Sequence, residues 1–255
     1  MSTAPVRNNP HISLILPAYN EVSSIGQTIE DAISYFRQRN MSYEIIVSAD
    51  GDDGTRELVT EMAVSIPALK VTGNVERRGK GYGIRHAIAM ASGEMIGFAD
   101  ADNKTPIEEL DKIEDVIRNG YDIVIGSRAL SESSIEQSQP LYRRLGSKGF
   151  RLFVHALVGL RDIVDTQCGF KFFKRHVAID LFGRQIIDGY MFDVEVLYLA
   201  HLRGYRVAQV PVRWRDDGDS RLRLVSGNIR NALDIFRIRF AHCHALAVSK
   251  QSRTD

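Results

Sequence analysis

The chain of 255 residues is poor in several features that would announce its class. Only two cysteines occur, Cys168 and Cys243, 75 positions apart. That is neither a disulfide framework nor a metal-ligand cluster, and it points to a reducing compartment. Charge excess is nearly absent as well, with 33 Lys+Arg against 32 Asp+Glu and a formal net charge of +1. Nothing therefore pulls the molecule as a whole toward nucleic acid, and any charge signal must be local. No stretch approaches the roughly 18 uncharged residues of a membrane span. The opening residues, MSTAPVRNNPH, lack the apolar core of about 7 to 15 residues that a signal peptide needs. Residues 1–10 are expected to be a disordered lead, and the protein to be cytoplasmic, either free or resting on the membrane face without crossing it. Repeats, low-complexity tracts and linkers are also missing. Residues 11–220 thus read as one domain, and 221–255 as a basic amphipathic helix and tail.

What the sequence does contain is an alternation. Short apolar runs, ISLILPAY (12–19), EIIVSA (44–49), LKVTG (69–73), MIGFAD (95–100) and DIVIGS (122–127), are separated by helical patterns over 23–39, 54–65, 81–91 and 106–119. Runs apolar on both faces, with helices between them, predict an α/β fold with a mostly parallel central sheet flanked by helices. Ligands of such sheets sit beyond the carboxyl ends of the strands, where this chain puts its polar residues: 17–21, 50–53, 100–102 and 126–128. Further on, RVAQVPVRW (206–214) reads as a strand interrupted by Pro211, hence at an edge. The DTQCGFK stretch (165–171) reads as a glycine turn, and the polar 131–139 as a loop over the site.

The sharpest local feature is FADADNKTP, 98–106. Asp100 and Asp102 end a strand, and alternation aims both side chains at one ligand. Two carboxylates beside a diphosphate suit Mg2+ or Mn2+. Thr105, Pro106 and Glu108 form the pattern of a helix N-cap, first helical proline and capping box. Capping accounts for that half of the stretch and leaves the two aspartates unexplained.

Together with its neighbours the stretch resembles a known family. LPAYNE (16–21), IIVSADGDDGT (45–55), RRGKGYGIRHAI (77–88) and ADAD (99–102) are similar, in content and order, to the motifs of glycosyltransferase family 2, whose nucleotide-binding domain has the GT-A fold. DTQCGFKFF (165–173), MFDVEVLYLA (191–200) and VPVRW (210–214) resemble its dolichyl-phosphate β-glucosyltransferase branch. The resemblance implies that Pro17, Ala18, Tyr19 and Glu21 line a nucleotide pocket, that Asp50 meets the base, and that Lys80 lies near the nucleotide. It implies that Asp100 and Asp102 hold ribose, metal and diphosphate, with Asp102, Arg128 and Asp193 as the catalytic set. Two positions depart from the pattern: Ala49 replaces the first of two adjacent aspartates, and Lys104 stands where mannosyl relatives often carry an amide that ligates the metal. An ammonium cannot ligate; it either neutralises diphosphate or points into solvent.

A lipid-phosphate acceptor needs cations, and one helical face of 141–160 offers them. Arg143, Arg144, Ser147, Lys148, Arg151 and His155 fall within about 140° of one another. That face either grips a phosphate or is simply solvated. By the family pattern Arg128 joins Arg143, Ser147 and Arg151 there, and an arginine fork matches phosphate oxygens. Gln167 and Asp193 are candidate sugar contacts, Asp193 and Glu195 being also readable as paired helix carboxylates. Cys168 is either a sugar neighbour or a small packed residue. A phosphate monoester is largely dianionic near neutral pH, so it needs no strong base to attack a sugar carbon. The C-terminal segment sets Val225, Ile229, Leu233, Phe236, Phe240 and Cys243 in one stripe with arginines around it. It could lie on an anionic membrane surface, dock on its own domain, or pair with a second subunit in a homodimer.

The expected activity is inverting transfer of glucose from UDP-glucose to dolichyl or undecaprenyl phosphate. The alternatives are GDP-mannose as donor, a soluble acidic acceptor, or a nucleotide-sugar binding protein without turnover.

Overall fold

In a computed structural model the described residues are 9–133, 154–215 and 226–251. Seven strands form one sheet: β1 (Ile12–Tyr19), β2 (Tyr43–Asp50), β3 (Leu69–Thr72), β4 (Met95–Ala99), β5 (Ile123–Ser127), β6 (Phe170–Lys174) and β7 (Val207–Pro211). Their order is β3-β2-β1-β4-β6-β5-β7. All neighbours run parallel except β6, which is antiparallel to both β4 and β5. The five parallel runs read from the sequence are thus present. β6 was the omission: the expected turn over 165–171 gives way at Phe170 to a strand. Its FKFFK sequence sets lysines at 171 and 174, out of step with a period of two, so no polar alternation announces a strand, although all but Lys174 are buried. Pro211 closes β7 at the sheet edge, where a missing N–H breaks no ladder.

Alternation along the strands splits the core in two. Leu14, Leu16, Ile45, Val47, Phe170 and Phe172 face one layer, built by α1 (Ile25–Gln38), α2 (Thr55–Ser65) and α4 (Leu110–Arg118). Ile15, Ile46, Phe98 and Phe173 face the other, built by α3 (Lys80–Met90), α5 (Arg175–Phe182), α6 (Phe192–Arg203) and α7 (Ser226–Gln251). The result is a three-layer sandwich, with both sheet faces dry.

The capping box at Thr105 is not formed. Pro106 is extended (ψ 143°), and the chain enters α4 through a 3-10 turn, Ile107–Glu109, with no side-chain cap hydrogen bond. Helical geometry starts too late for Thr105 to be its N-cap. Thr105 is buried instead, and the buried Glu109 is bound by Lys112 and Arg213.

The C-terminal helix also differs in detail. Ile235, Ile238 and His242 are its buried positions, whereas Leu233, Phe236 and Phe240 of the expected stripe are exposed. These two faces are roughly opposite at 100° per residue. The helix docks with one and turns the other outward. Among the described residues no helix is long and apolar enough to cross a membrane.

Candidate active site

The carboxyl ends of β1, β2 and β4 and the N-terminal end of α3 converge on one side of the sheet. β1 pairs with β2 through Tyr19 and Asp50, so the LPAYNE and ADGDDGT loops leave the sheet side by side. They are cross-linked: Asp53 accepts from the Val22 and Thr55 N–H groups, both at 3.0 Å, and the Thr55 hydroxyl accepts from the Glu21 N–H at 2.9 Å. Those bonds outweigh partial burial and hold the Asp53 carboxyl below its ordinary pKa. Pro17 and Ala18 pair with Ser48 and Ala49 of β2 just before Tyr19, and Glu21 precedes α1, its carboxylate accepting from Ser24 at 3.0 Å. Asp50 is turned toward the 74–78 loop: it accepts from the Asn74 N–H at 3.0 Å and the Arg78 N–H at 2.8 Å. Arg77 of that loop lies over the Tyr19 ring, 4.2 Å from its centroid, and donates to the Tyr190 hydroxyl at 2.9 Å. Sequence reasoning passed over Arg77, although a doubled arginine before a glycine run was a visible signal.

Asp100 and Asp102 leave β4 in a turn that is well tied. The Thr28 hydroxyl donates to the Ala101 carbonyl at 2.8 Å, and Asn103, at φ 53° in the left-handed region that asparagine tolerates, donates to Asp31 at 2.8 Å. Each aspartate meets a lysine. Lys80, the first residue of α3, stands 2.5 Å from Asp100, and Lys104 stands 2.9 Å from Asp102. Lys104 therefore does not point into solvent. Burial works against the Lys80 ammonium, but Asp100 beside it and Asp193 behind it hold its pKa above the usual lysine value.

The third side of the site is the 165–171 segment. A Cβ on Gly169 would fall 2.1 Å from the Asp100 carboxylate, so only glycine lets this backbone close on the aspartate. Two residues after it, Lys171 points into the sheet's buried face. It donates to Asp193 and to the Cys168 carbonyl, both at 2.6 Å. Asp193 is buried, which pushes its carboxyl pKa up against the opposing pull of Lys171 and Lys80. Arg128, at the end of β5, is engaged bidentately by Asp165, at 2.8 and 3.0 Å, under the Trp214 ring. Burial of Asp165 is overcome by that guanidinium, which draws its carboxyl down to about 2. Asp165 and Lys171 were missed as partners because their mates lie 37 and 22 positions away. A lysine flanked on both sides by phenylalanines was nevertheless a hint of a buried counter-ion. Cys168 is a packed residue, its thiol pushed up to about 11 by burial. Gln167 is half-buried, its backbone N–H donating to Asp165 at 3.2 Å.

Glu195 is not a free carboxylate of the site. It is fully buried and accepts from the Ile186 and Ile187 N–H groups and from His242, at 2.9, 2.8 and 2.7 Å. It thereby fastens α7 to the segment before α6. Arg143, Ser147 and Arg151 lie outside the described residues, as do Val225 and the side chains of Ile229 and Cys243.

Residues 13–182 match the sequence model of the family described as Glycosyl transferase family 2. The chain belongs to that family. It is a glycosyltransferase, and its curated relatives narrow the branch. A dolichyl-phosphate beta-glucosyltransferase of Dictyostelium discoideum is 35% identical over 248 residues, covering 92% of this chain and 76% of the relative. One from Trichomonas vaginalis is 34% identical over 239 residues, covering 89% and 70%. Among solved structures, glucosyl-3-phosphoglycerate synthase of Mycobacterium tuberculosis, in complex with Mn2+ and UDP-glucose, superposes with a TM-score of 0.66 at 19% identity, over 92% of this chain and 79% of that one. Mannosyl-3-phosphoglycerate synthase of Rubrobacter xylanophilus gives 0.64 at 18%, over 90% and 72%. At that identity the likeness concerns the fold, which is GT-A.

The donor set suits a divalent cation of the Mg2+ or Mn2+ kind. Among the described residues no cluster of three or more His, Cys, Asp or Glu side chains could hold a metal by itself. Two partly exposed carboxylates one residue apart instead fit a cation that completes its shell from a diphosphate and water.

Proposed function

We propose that this glycosyltransferase moves glucose from UDP-glucose to a polyprenyl phosphate, with inversion, giving a β-linked lipid-phosphate sugar. The observation that carries the reading is the shared floor of two charge clusters. Lys80–Asp100 and Arg128–Asp165 both lie against the 165–171 segment, through Gly169 and Asp165, and Asp100 is close enough to act electrostatically on Arg128. A donor diphosphate and an acceptor phosphate bound at these clusters would meet across that segment. The dolichyl-phosphate beta-glucosyltransferase relatives support the choice of sugar and acceptor.

In this reading Pro17, Ala18, Tyr19, Glu21 and Asp50 enclose the nucleoside. Arg77 stiffens Tyr19 against Tyr190, and Asp50 shapes the 74–78 loop around the base. Asp100 and Asp102 hold the cation, which when bound stabilises the departing diphosphate. Lys80 and Lys104 stand ready to neutralise phosphate oxygens. Gln167 and, from the buried side, Asp193 orient the sugar, Asp193 acting through Lys171 and Lys80. Arg128, helped by Arg143, Ser147 and Arg151, receives the acceptor phosphate and aligns it behind the anomeric carbon. Alignment supplies most of the rate, since the acceptor is already anionic and needs no base. The outward Leu233, Phe236 and Phe240, with Arg230 and Arg237 beside them, rest on the cytoplasmic membrane face, where a polyprenyl chain can be reached.

The test is a donor and acceptor panel: UDP-glucose, UDP-galactose, UDP-GlcNAc and GDP-mannose, each with a short polyprenyl phosphate in detergent or a soluble phosphorylated acid, plus Mg2+, Mn2+ or chelator. Glucosyl transfer from UDP-glucose to the lipid, cut by about 10³-fold in Asp102→Ala, is expected. Transfer to the soluble acid alone, or from GDP-mannose alone, would sink the reading, and tight UDP binding without turnover would make the chain a binding protein.

A further inference from the structure

Both carboxylates of the Asp100–Asp102 pair carry a resident ammonium. Lys104 engages the two oxygens of Asp102 at once, Nζ at 2.9 Å from Oδ2 and its backbone N–H donating to Oδ1 at 3.3 Å. Lys80 reaches Asp100 from α3 at 2.5 Å. The two carboxylates and the two ammonium groups balance one another in formal charge.

That balance bears on how a divalent cation enters. A bare cation seeking Asp102 must take the carboxylate from Lys104, whose side chain is only 16% exposed. Separating that ammonium from its carboxylate forfeits the attraction of the pair, a modest cost for a partly exposed pair but one that a bare cation has to meet alone. A cation arriving with a nucleoside diphosphate avoids that cost, since the diphosphate brings anionic oxygens to which the ammonium can move. Lysine is suited to such a move, having a compact charge, three donors and a flexible stem. Its backbone meanwhile stays fixed, the Lys104 carbonyl accepting from the Arg215 N–H at 3.0 Å.

We propose that Lys104 is the counter-ion of Asp102 in the resting enzyme and determines the order of loading. It keeps a free divalent cation out and passes to the donor diphosphate when cation and nucleotide enter together. The proposal rests on reading Asp100 and Asp102 as the donor site, but not on which sugar, base or acceptor is used.

Mn2+ binding to the full chain, followed by the electron paramagnetic resonance signal of free Mn2+, tests this without turnover. Wild type, Lys104→Met and Lys104→Arg are compared alone, with UDP and with GDP. Wild type is expected to bind Mn2+ at least tenfold more weakly alone than with a nucleoside diphosphate. Lys104→Met should raise the nucleotide-free affinity by about tenfold and shrink the nucleotide effect, while Lys104→Arg keeps the wild-type pattern. In chelator, Lys104→Met should weaken binding of the diphosphate by several fold and leave binding of the matching nucleoside unchanged. An unaltered nucleotide-free Mn2+ affinity in a folded Lys104→Met, checked by thermal unfolding, overturns the counter-ion role. If that variant does not fold, wild type alone decides, because equal Mn2+ binding with and without nucleotide also overturns it. Loss of all nucleotide binding in wild type would instead remove the donor-site reading on which the hand-over depends.

Discussion

Two ion-pair sites, one on each half of the sheet, use charge in opposite ways. At the carboxyl end of β4 the Lys80–Asp100 and Lys104–Asp102 pairs stand partly in water, with Asp100 35% and Asp102 32% exposed. On the β6-β5-β7 side Lys171 and Asp193 are 1% and 5% exposed, inside the core. A charge that must exchange partners with a ligand has to remain reachable, and its pair adds little stability. A charge that fixes shape can be buried, but then removing one mate strands the other. The difference teaches which aspartates a ligand can claim and which hold the floor beneath it.

The comparison can be broken by substitution. Asp102→Ala should cut transfer by about 10³-fold while leaving the unfolding midpoint within about 3 °C of wild type, since a partly exposed pair is being lost. Initial rates and thermal melts on one preparation would check both halves of that statement. Lys171→Met should do the reverse in kind. A stranded Asp193 is expected to destabilise the protein by about 3 kcal/mol, lowering the midpoint by about 10 °C, and adding Asp193→Leu should restore most of it. A harmless Lys171→Met would erase the distinction between the two sites.

Acid should sharpen it further. The Asp165 carboxyl lies at about 2 in the folded protein, below its unfolded value. Its contribution is therefore fully present above about pH 4 and lost as the pH falls toward 2, and is of order 2 kcal/mol. Urea melts from pH 5 to 2.5 should show a shallower decline in Asp165→Asn than in wild type. The smallest effect belongs to the outer helix face. Leu233→Ser and Phe240→Ser together should weaken sedimentation with anionic vesicles roughly tenfold, with the melting midpoint nearly unchanged because these residues are 63% and 68% exposed. A large drop in stability would mean that this face docks within the protein.

Much of this molecule could be read before folding it. Apolar runs at regular spacing reported a sheet covered on both faces, because a strand buried on both sides shows as an uninterrupted apolar run. The polar residues at their carboxyl ends reported the site, because that is where a parallel sheet leaves backbone and side chains open to a ligand. Pro211 reported an edge. Direction and partnership were settled only in three dimensions. FKFFK shows no two-residue period whichever way it runs, so nothing local distinguishes the antiparallel β6 from a turn or a parallel strand. Asp165 with Arg128, Lys171 with Asp193 and Glu195 with His242 join residues 37, 22 and 47 positions apart, and no periodicity carries such pairings. The C-terminal helix shows the same division: its sequence read as one apolar stripe, and packing instead took Ile235 and Ile238 inward and left Leu233, Phe236 and Phe240 of that stripe outside. Burial pattern is a property of each segment, whereas the choice of mate depends on which segments the topology brings together.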